Sequence, residues 1–368
     1  MTHEFTAQIL AILTKQFGDK AQAVFDASPL LQYLNVKTKS ANRGSKSRSS
    51  FANLYAVYVL VEDYLAKGYG KKPGYKDYEG AKFTVLFKRQ RELPFGQKLQ
   101  NHALNSRLNE EFKKYNPTLD AIPIMRDLQT ERYWVNENLL RVKVGKETVS
   151  IAEAVIAIIN AYVGAKKDAF QSFIADCERM AKLKQEGAKE STAFVAGLVK
   201  PNVDARVFEI VSYAVLRAHY GAKSVFWGWT RDELTEEPLV LYKTGRTNAN
   251  DGGIDFVMRP LGRFFQVTET VDAGKYFLDI DKVQRFPITF VVKSEQSVDA
   301  LKASIRAQAE GRYSVTKVVD RYMSCVEEVI NIPMLLGLFD AVVKAGKLQE
   351  VLDEIVRQSK MEFNYEET

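Results

Sequence analysis

The stretch from Asp251 to Glu269, DGGIDFVMRPLGRFFQVTE, constrains this chain more than any other. It holds two apolar, β-prone runs on either side of Arg259-Pro260-Leu261-Gly262, a four-residue turn signature with proline second and glycine fourth. The spacing predicts a tight hairpin. If Arg259 pairs with Gly262, Asp255 stands opposite Gln266, Thr268 shares their face, and Phe265 and Val267 point to the other as core. A slip of one residue would instead group Asp255 with Val267 and Glu269. Either register sets an acid against a polar group across two strands, which plain core does not require.

The neighbours of the hairpin have their own signals. VDARVFEIVSYAVLRAHYG, residues 203–221, opens with Asp204 as N-cap, gathers Val207, Ile210, Val211, Ala214, Val215 and Ala218 on one helical face, and ends at Gly221. Glu209 sits in that apolar neighbourhood, either solvated at the edge of the buried face or placed there for a purpose. PLVLYKTGRTNAN reads as a strand and a loop, KYFLDIDKVQRF as a helix and PITFVVKS as a strand. From Val203 to Lys293 the order is therefore helix, strand, hairpin, helix, strand.

The flanks are mainly helical. Periods of three and four predict helices over residues 3–17, 20–35 and 51–68, then over IAEAVIAIINAYV and FQSFIADCERMAKLK, with β-rich stretches at AKFTVLFKRQREL and RYWVNENLLRVKVGKETVSI. KQEGAKEST and KPNVDA punctuate the chain and suggest a boundary near residue 195. We expect a mainly helical region over 1–195 that reads DNA, a core over 196–295, and C-terminal helices over 296–368 that pack on it.

At 368 residues, 46% hydrophobic, the chain is long enough to bury more than one core. Cys177 and Cys325 lie far apart in helical patterns, so neither a disulfide framework nor a zinc cluster is indicated, and a reducing cytoplasm fits. Apolar runs such as AEAVIAIINAYVGA fall short of the roughly 20 residues that cross a bilayer, so no membrane association is expected. The formal net charge of +6 says little by itself, whereas its distribution says more. KTKSANRGSKSRSS carries Lys37, Lys39, Arg43, Lys46 and Arg48 with Asn42 among small polar residues and no acid. It reads either as a solvated linker or as an arm contacting DNA phosphates through its cations.

Glu209 in a helix, Asp251-Gly-Gly-Ile-Asp255 entering a strand and Gln266 on the next strand resemble the PD-(D/E)XK nuclease superfamily, most closely its restriction-endonuclease branch of the Mrr-like kind. The resemblance covers roughly residues 203–294, about a quarter of the chain. It implies an α/β (α+β) restriction-endonuclease-like core with a mixed central sheet, flanked by mainly helical regions. It further implies that Asp255 is the principal Mg²⁺ ligand, that Gln266 offers its amide oxygen or a neighbouring carbonyl, and that Glu209 holds a metal-bound water or a second ion. The family carries lysine two residues after the Gln, and this chain has Thr268 there. Glu269 in a shifted register, Lys275 or Lys293 would then take over the role, or the site is catalytically silent.

The function so implied is that of a type II, site-specific endonuclease hydrolysing double-stranded DNA with Mg²⁺, working as a homodimer on a palindromic target. A modification-dependent endonuclease and a silent DNA-binding protein are the alternatives. His3, His102 and His219 are isolated and form no metal cluster, and Gly252-Gly253 lacks the Lys-Ser/Thr of a phosphate-cradling motor loop. VFWGWTRDE, with Trp227 and Trp229, is read as packing rather than base stacking.

Overall fold

The computed structural model describes residues 2–39, 47–70, 74–97, 99–183, 187–244 and 254–363. Helix outweighs strand, the main sheet is mixed, and the class is α+β. The chain divides into two compact units, Met1–Ser172 and Phe173–Thr368, rather than near residue 195. Among the described residues no helix is long and apolar enough to cross a membrane.

In the first unit α1 (Glu4–Phe17), α2 (Ala21–Ala27), α3 (Pro29–Thr38) and α4 (Ser47–Ala66) come first. The helix expected over 20–35 is two helices, because Ser28 caps the second by accepting from the Leu31 N–H and Pro29 occupies its first turn. β1 (Ala81–Lys82) is followed at once by α5 (Phe83–Glu92), so the β-rich reading of AKFTVLFKRQREL holds for two residues only. Leu86 and Gln90, four apart, are the buried positions of α5, and Gln90 donates to the Ala52 carbonyl at 3.0 Å, a helical spacing rather than an alternating one. After α6 (Leu108–Tyr115), β2 (Ile124–Asp127) and β3 (Arg132–Val135) complete an antiparallel sheet of order β1-β3-β2. The short α7 (Glu137–Leu140) leads into the hairpin β4 (Arg141–Val144) and β5 (Glu147–Ser150), as RYWVNENLLRVKVGKETVSI suggested. The two helices expected next are one, α8 (Ala152–Lys182). Gly164 does not interrupt it, since a mid-helix glycine costs only about 1 kcal/mol against alanine.

The second unit continues with α9 (Ala188–Gly197) and α10 (Ala205–Tyr220), capped by Asp204 as its sequence indicates. Then come β6 (Ser224–Trp227) and β7 (Thr235–Pro238), a hairpin of their own, and β8 (Val240–Lys243), β9 (Phe256–Arg259) and β10 (Arg263–Thr268), an antiparallel meander. α11 (Ala273–Lys282) leads to β11 (Ile288–Val292), parallel to β10, and α12 (Val298–Arg312) and α13 (Thr316–Met323) lead to β12 (Val326–Ile330), parallel to β11. The five-stranded order is β12-β11-β10-β9-β8. α14 (Ile332–Lys344) and α15 (Leu348–Phe363) close the chain.

Every residue of β11 is buried, as befits a strand inside a sheet covered on both faces. Phe256, Met258, Phe265, Val291 and Ile330 pack with α10, α14 and α15 on one face, whereas Ile288, Phe290, Val292, Val326 and Val329 pack with α11, α12 and α13 on the other. β12 is a strand inside the region expected to be purely helical. Its sequence VEEVI hides the period behind Glu327 and Glu328, which answer the guanidinium of Arg263. Trp229 does not pack, being 92% exposed, whereas Trp227 is 42% exposed.

Candidate active site

The hairpin register is the first of the two the turn allowed. Arg263 pairs with Met258, Phe264 with Val257 and Phe265 with Phe256, so the ladder runs back to Gly262 against Arg259, with Gly262 at φ +66°. Gln266 and Thr268 lie beside Phe290 and Val292 of β11, whose side chains belong to the α11 face of the core.

Asp255 does not stay with them. Its N–H bonds the Phe265 carbonyl at 3.0 Å, although Phe265 is already the ladder partner of Phe256, and Ile254 packs into the α11-side core. Strict alternation lapses at this point, in the manner of a bulge, which re-aims a side chain. The carboxylate takes the Val267 N–H at 2.8 Å through Oδ2 and interacts with Glu209, Arg206 and Lys243, all of α10 or β8. The shared face expected for Asp255, Gln266 and Thr268 is corrected accordingly.

Glu209 is only 8% exposed, so the reading of a solvated edge residue falls. Arg206, one turn earlier on α10, pairs with its Oε2, and Lys243 at the end of β8 reaches its Oε1 at 3.1 Å. Lys243 stands opposite Phe256, which turns it to the α10 face, and its ammonium lies 5.9 Å from the Tyr213 ring centre. Burial and, next, the neighbouring Glu209 push the Asp255 carboxyl up to about 7, against the pull of the Val267 N–H, Arg206 and Lys243. Neither Arg206 nor Lys243 was singled out from sequence. Arg206 precedes Glu209 by three positions on a helix, a visible signal; Lys243 closes an ordinary edge strand and has none.

The other expected residues are placed as follows. Thr268 is buried and donates to the Thr270 carbonyl at 3.0 Å, so its hydroxyl secures the end of β10. Glu269 pairs with Lys293 at 2.6 Å, and the same ammonium donates to the Val203 carbonyl ahead of α10. Lys293 does come beside Thr268, its N–H bonding the Thr268 carbonyl at 2.9 Å, yet its charge is already answered. Lys275 is exposed on the first turn of α11. Lys37, expected on a DNA-contacting arm, is instead buried in an ion pair with Glu111, which removes it from such a role. Lys39 is exposed. Asp251, Gly252, Gly253, Asn42, Arg43 and Lys46 lie outside the described residues, as does the side chain of Arg48.

A hard cation asks for oxygen donors, and Mg²⁺ keeps several waters while using one or two carboxylates. Asp255 fits: its Oδ2 is engaged by one N–H, and a cation would relieve the crowding with Glu209. The Oε1 of Gln266 is buried without a hydrogen-bond partner, but it lies on the α11 side of the sheet and so does not fit as a second ligand of an ion at Asp255. Glu209, with Arg206 and Lys243 on its two oxygens, does not fit as a direct ligand in this arrangement. Among the described residues no group of three or more His, Cys, Asp or Glu gathers as a metal cage. Comparisons with family models, curated proteins and solved structures found no match to this chain.

Proposed function

We propose that residues 173–368 hold the core of a Mg²⁺-dependent, site-specific endonuclease that hydrolyses phosphodiester bonds of double-stranded DNA, in the manner of a type II restriction enzyme. One observation carries the reading: the partly buried Asp255 and the buried Glu209 are brought together beside Arg206 and Lys243, and the Asp255 carboxyl is raised by burial and by its neighbour Glu209. Such a pair weakens a fold and gathers where chemistry or binding needs it. The succession of α10, the β8-β9-β10 meander, α11 and a parallel β11 supports it, being the order that the resemblance to the PD-(D/E)XK nucleases requires.

Asp255 would hold the ion on the α10 side of the sheet, without the Gln266 amide, which belongs to the α11 side. Bound Mg²⁺ supplies Lewis acidity and lowers the pKa of its water. The chain's own contribution would be cationic: Lys243 and Arg206, held by Glu209 within the field of Asp255, would be shared between that carboxylate and charge that builds on a phosphate, a task Thr268 cannot perform. On this reading Lys243 provides the ammonium that the family places two residues after the Gln. A palindromic target would pair two copies, each cutting one strand.

A second reading, a silent DNA-binding protein, draws on the two cations already neutralising Glu209. Purified protein and its Asp255→Ala variant, incubated with methylated or unmethylated plasmid in Mg²⁺ or EDTA, separate the two. Discrete Mg²⁺-dependent fragments lost in the variant are expected, and the preferred plasmid identifies restriction or modification dependence. Retarded but uncut DNA in every condition would favour the silent protein.

A further inference from the structure

The strands β11 and β12 begin at the end of the sheet that carries Arg263, not at the end that carries Asp255. There, between the last turns of α11 and α13, lies a cavity of about 650 Å³ lined by Asp281, Gln284, Arg285, Arg321, Ser324 and Cys325, among others. Its size is that of a small-molecule site. The turn that walls it is strained: Gln284 and Arg285 take φ of +54° and +64°, a conformation rare outside glycine, and strain of this kind gathers at ligand clamps. The two helix ends are themselves answered. Gln284 and Arg285 N–H groups bond the Asp281 and Ile280 carbonyls at 3.0 and 2.9 Å, and Ser324 and Cys325 N–H groups bond those of Asp320 and Tyr322 at 2.9 and 3.0 Å. With these carbonyls occupied, the helix ends weigh little against a full charge in the cavity.

The lining selects the ligand. Two guanidiniums face one carboxylate, which leaves an excess of positive charge. Asp281 accepts from the Tyr322 hydroxyl through both oxygens, at 2.8 and 2.7 Å, so Arg285, whose Nε stays 3.7 Å away, is held only loosely by it. Tyr322 stacks on Phe277 with ring centres 4.2 Å apart, and the Arg285 guanidinium lies 5.6 Å from the Tyr322 ring centre, an aromatic floor that steers its fork. Arg321 is exposed and makes no ion pair among the described residues. Guanidinium forks match phosphate oxygens two at a time, and a pair of them suits the doubly charged phosphate of a monoester better than a single carboxylate does. The rest of the lining is polar. The Gln284 amide, the Asp281 carboxylate and the Ser324 hydroxyl, which donates to the Arg321 carbonyl at 2.8 Å and keeps its oxygen as an acceptor, suit hydroxyl groups rather than an apolar body.

We infer that this cavity binds a small hydroxylated phosphate monoester, of the size and chemistry of a sugar phosphate, with Arg321 and Arg285 on the phosphate and Asp281 on a hydroxyl. No lining residue belongs to the Asp255 site, so the inference stands or falls apart from the endonuclease reading. Titration calorimetry on the full chain with glycerol 3-phosphate, ribose 5-phosphate and glucose 6-phosphate provides the test, with ribose and inorganic phosphate as the two halves of the ligand. Expected is binding of at least one ester, at least about tenfold tighter than either half. Arg321→Ala should weaken it by at least about tenfold with the melting temperature unchanged, because the side chain is exposed, whereas Lys344→Ala, an exposed cation on α14, should leave it alone. The bound ester should also slow alkylation of Cys325, which lines the cavity, while Cys177 is fully buried and silent. No heat with any ester, ribose or inorganic phosphate bound as tightly as the ester, equal losses in the two variants, or alkylation of Cys325 that the ester does not slow would each overturn the inference.

Discussion

β10 has a charge cluster near each end, and the two are built on opposite plans. Arg263, at its start, is a single cation answered by Glu327 at 3.4 Å and by Glu328, while its Nε donates to Thr289 at 3.0 Å and its guanidinium lies 5.1 Å from the Phe265 ring centre. Its donors and flat faces are used, which is how a structural ion pair offsets its desolvation. Near the other end Asp255 meets a second carboxylate, Glu209, and the like charge raises its carboxyl. One cluster ties strands β10, β11 and β12 together. The other holds groups whose needs the fold leaves unmet, and unmet needs of this kind are what a ligand satisfies.

Four measurements break or sharpen that contrast. Asp255→Ala has the largest expected effect, a loss of at least about 10³-fold in plasmid cleavage (~4 kcal/mol), read against the undiminished cleavage expected of Glu327→Gln at the opposite end. Next, Lys243→Met is expected to slow cleavage by about 10²-fold while DNA retardation is largely kept, since one ammonium poised at the phosphate is removed. Equal losses in retardation and cleavage would show Lys243 to be a binding contact instead. Arg263→Ala is expected to cost about 2 kcal/mol in urea unfolding and to leave cleavage per folded molecule unchanged, because it removes packing along with charge.

The last effect carries the opposite sign. Asp255→Asn keeps an acceptor for the Val267 N–H and removes the repulsion with Glu209, so it is expected to stabilise the protein above neutral pH. The pH dependence follows from the raised carboxyl. The folded state holds the proton of Asp255 more tightly than the unfolded chain, so the aspartate's contribution is fully present below its ordinary value near 3.8 and is lost as pH rises through about 7. The advantage of Asp255→Asn should therefore vanish in acid and grow across that window. Thermal unfolding at pH 4 and pH 8 provides the check, and a gain of the same size at both pH values would remove Asp255 from the contrast. Mg²⁺ should narrow the difference at pH 8 by stabilising only the aspartate form, by about 1.4 kcal/mol at ten times the dissociation constant.

Much of this was legible beforehand. The turn at Arg259–Gly262 predicted the hairpin and left two registers, of which the structure has the first; Asp204 announced the helix it caps, and the apolar period of 203–221 predicted α10 with Glu209 on it. These are local signals, carried by residues within a turn or two of one another. What stayed hidden depended on distant partners. β12 was masked because Glu327 and Glu328 are polar for the sake of Arg263, more than sixty positions earlier in the chain. The bulge at Asp255 left no mark in the pattern of alternation. Lys37 looked like part of a basic arm until Glu111 came beside it.

The sequence by itself determined that a helix, a strand, a hairpin, a helix and a strand occur in that order, with Glu209, Asp255 and Gln266 along them, but not the β6–β7 hairpin that follows the first helix. Periodicity and turn chemistry are properties of neighbouring residues, so they can be read without a fold. Only the tertiary structure decided that Asp255 leaves Gln266 for the α10 side, that Lys243 and Arg206 meet Glu209 there, and that Lys293 is absorbed by Glu269. Coulombic attraction and desolvation depend on distance through space and on exclusion of water, and neither exists along the chain until the sheet has formed.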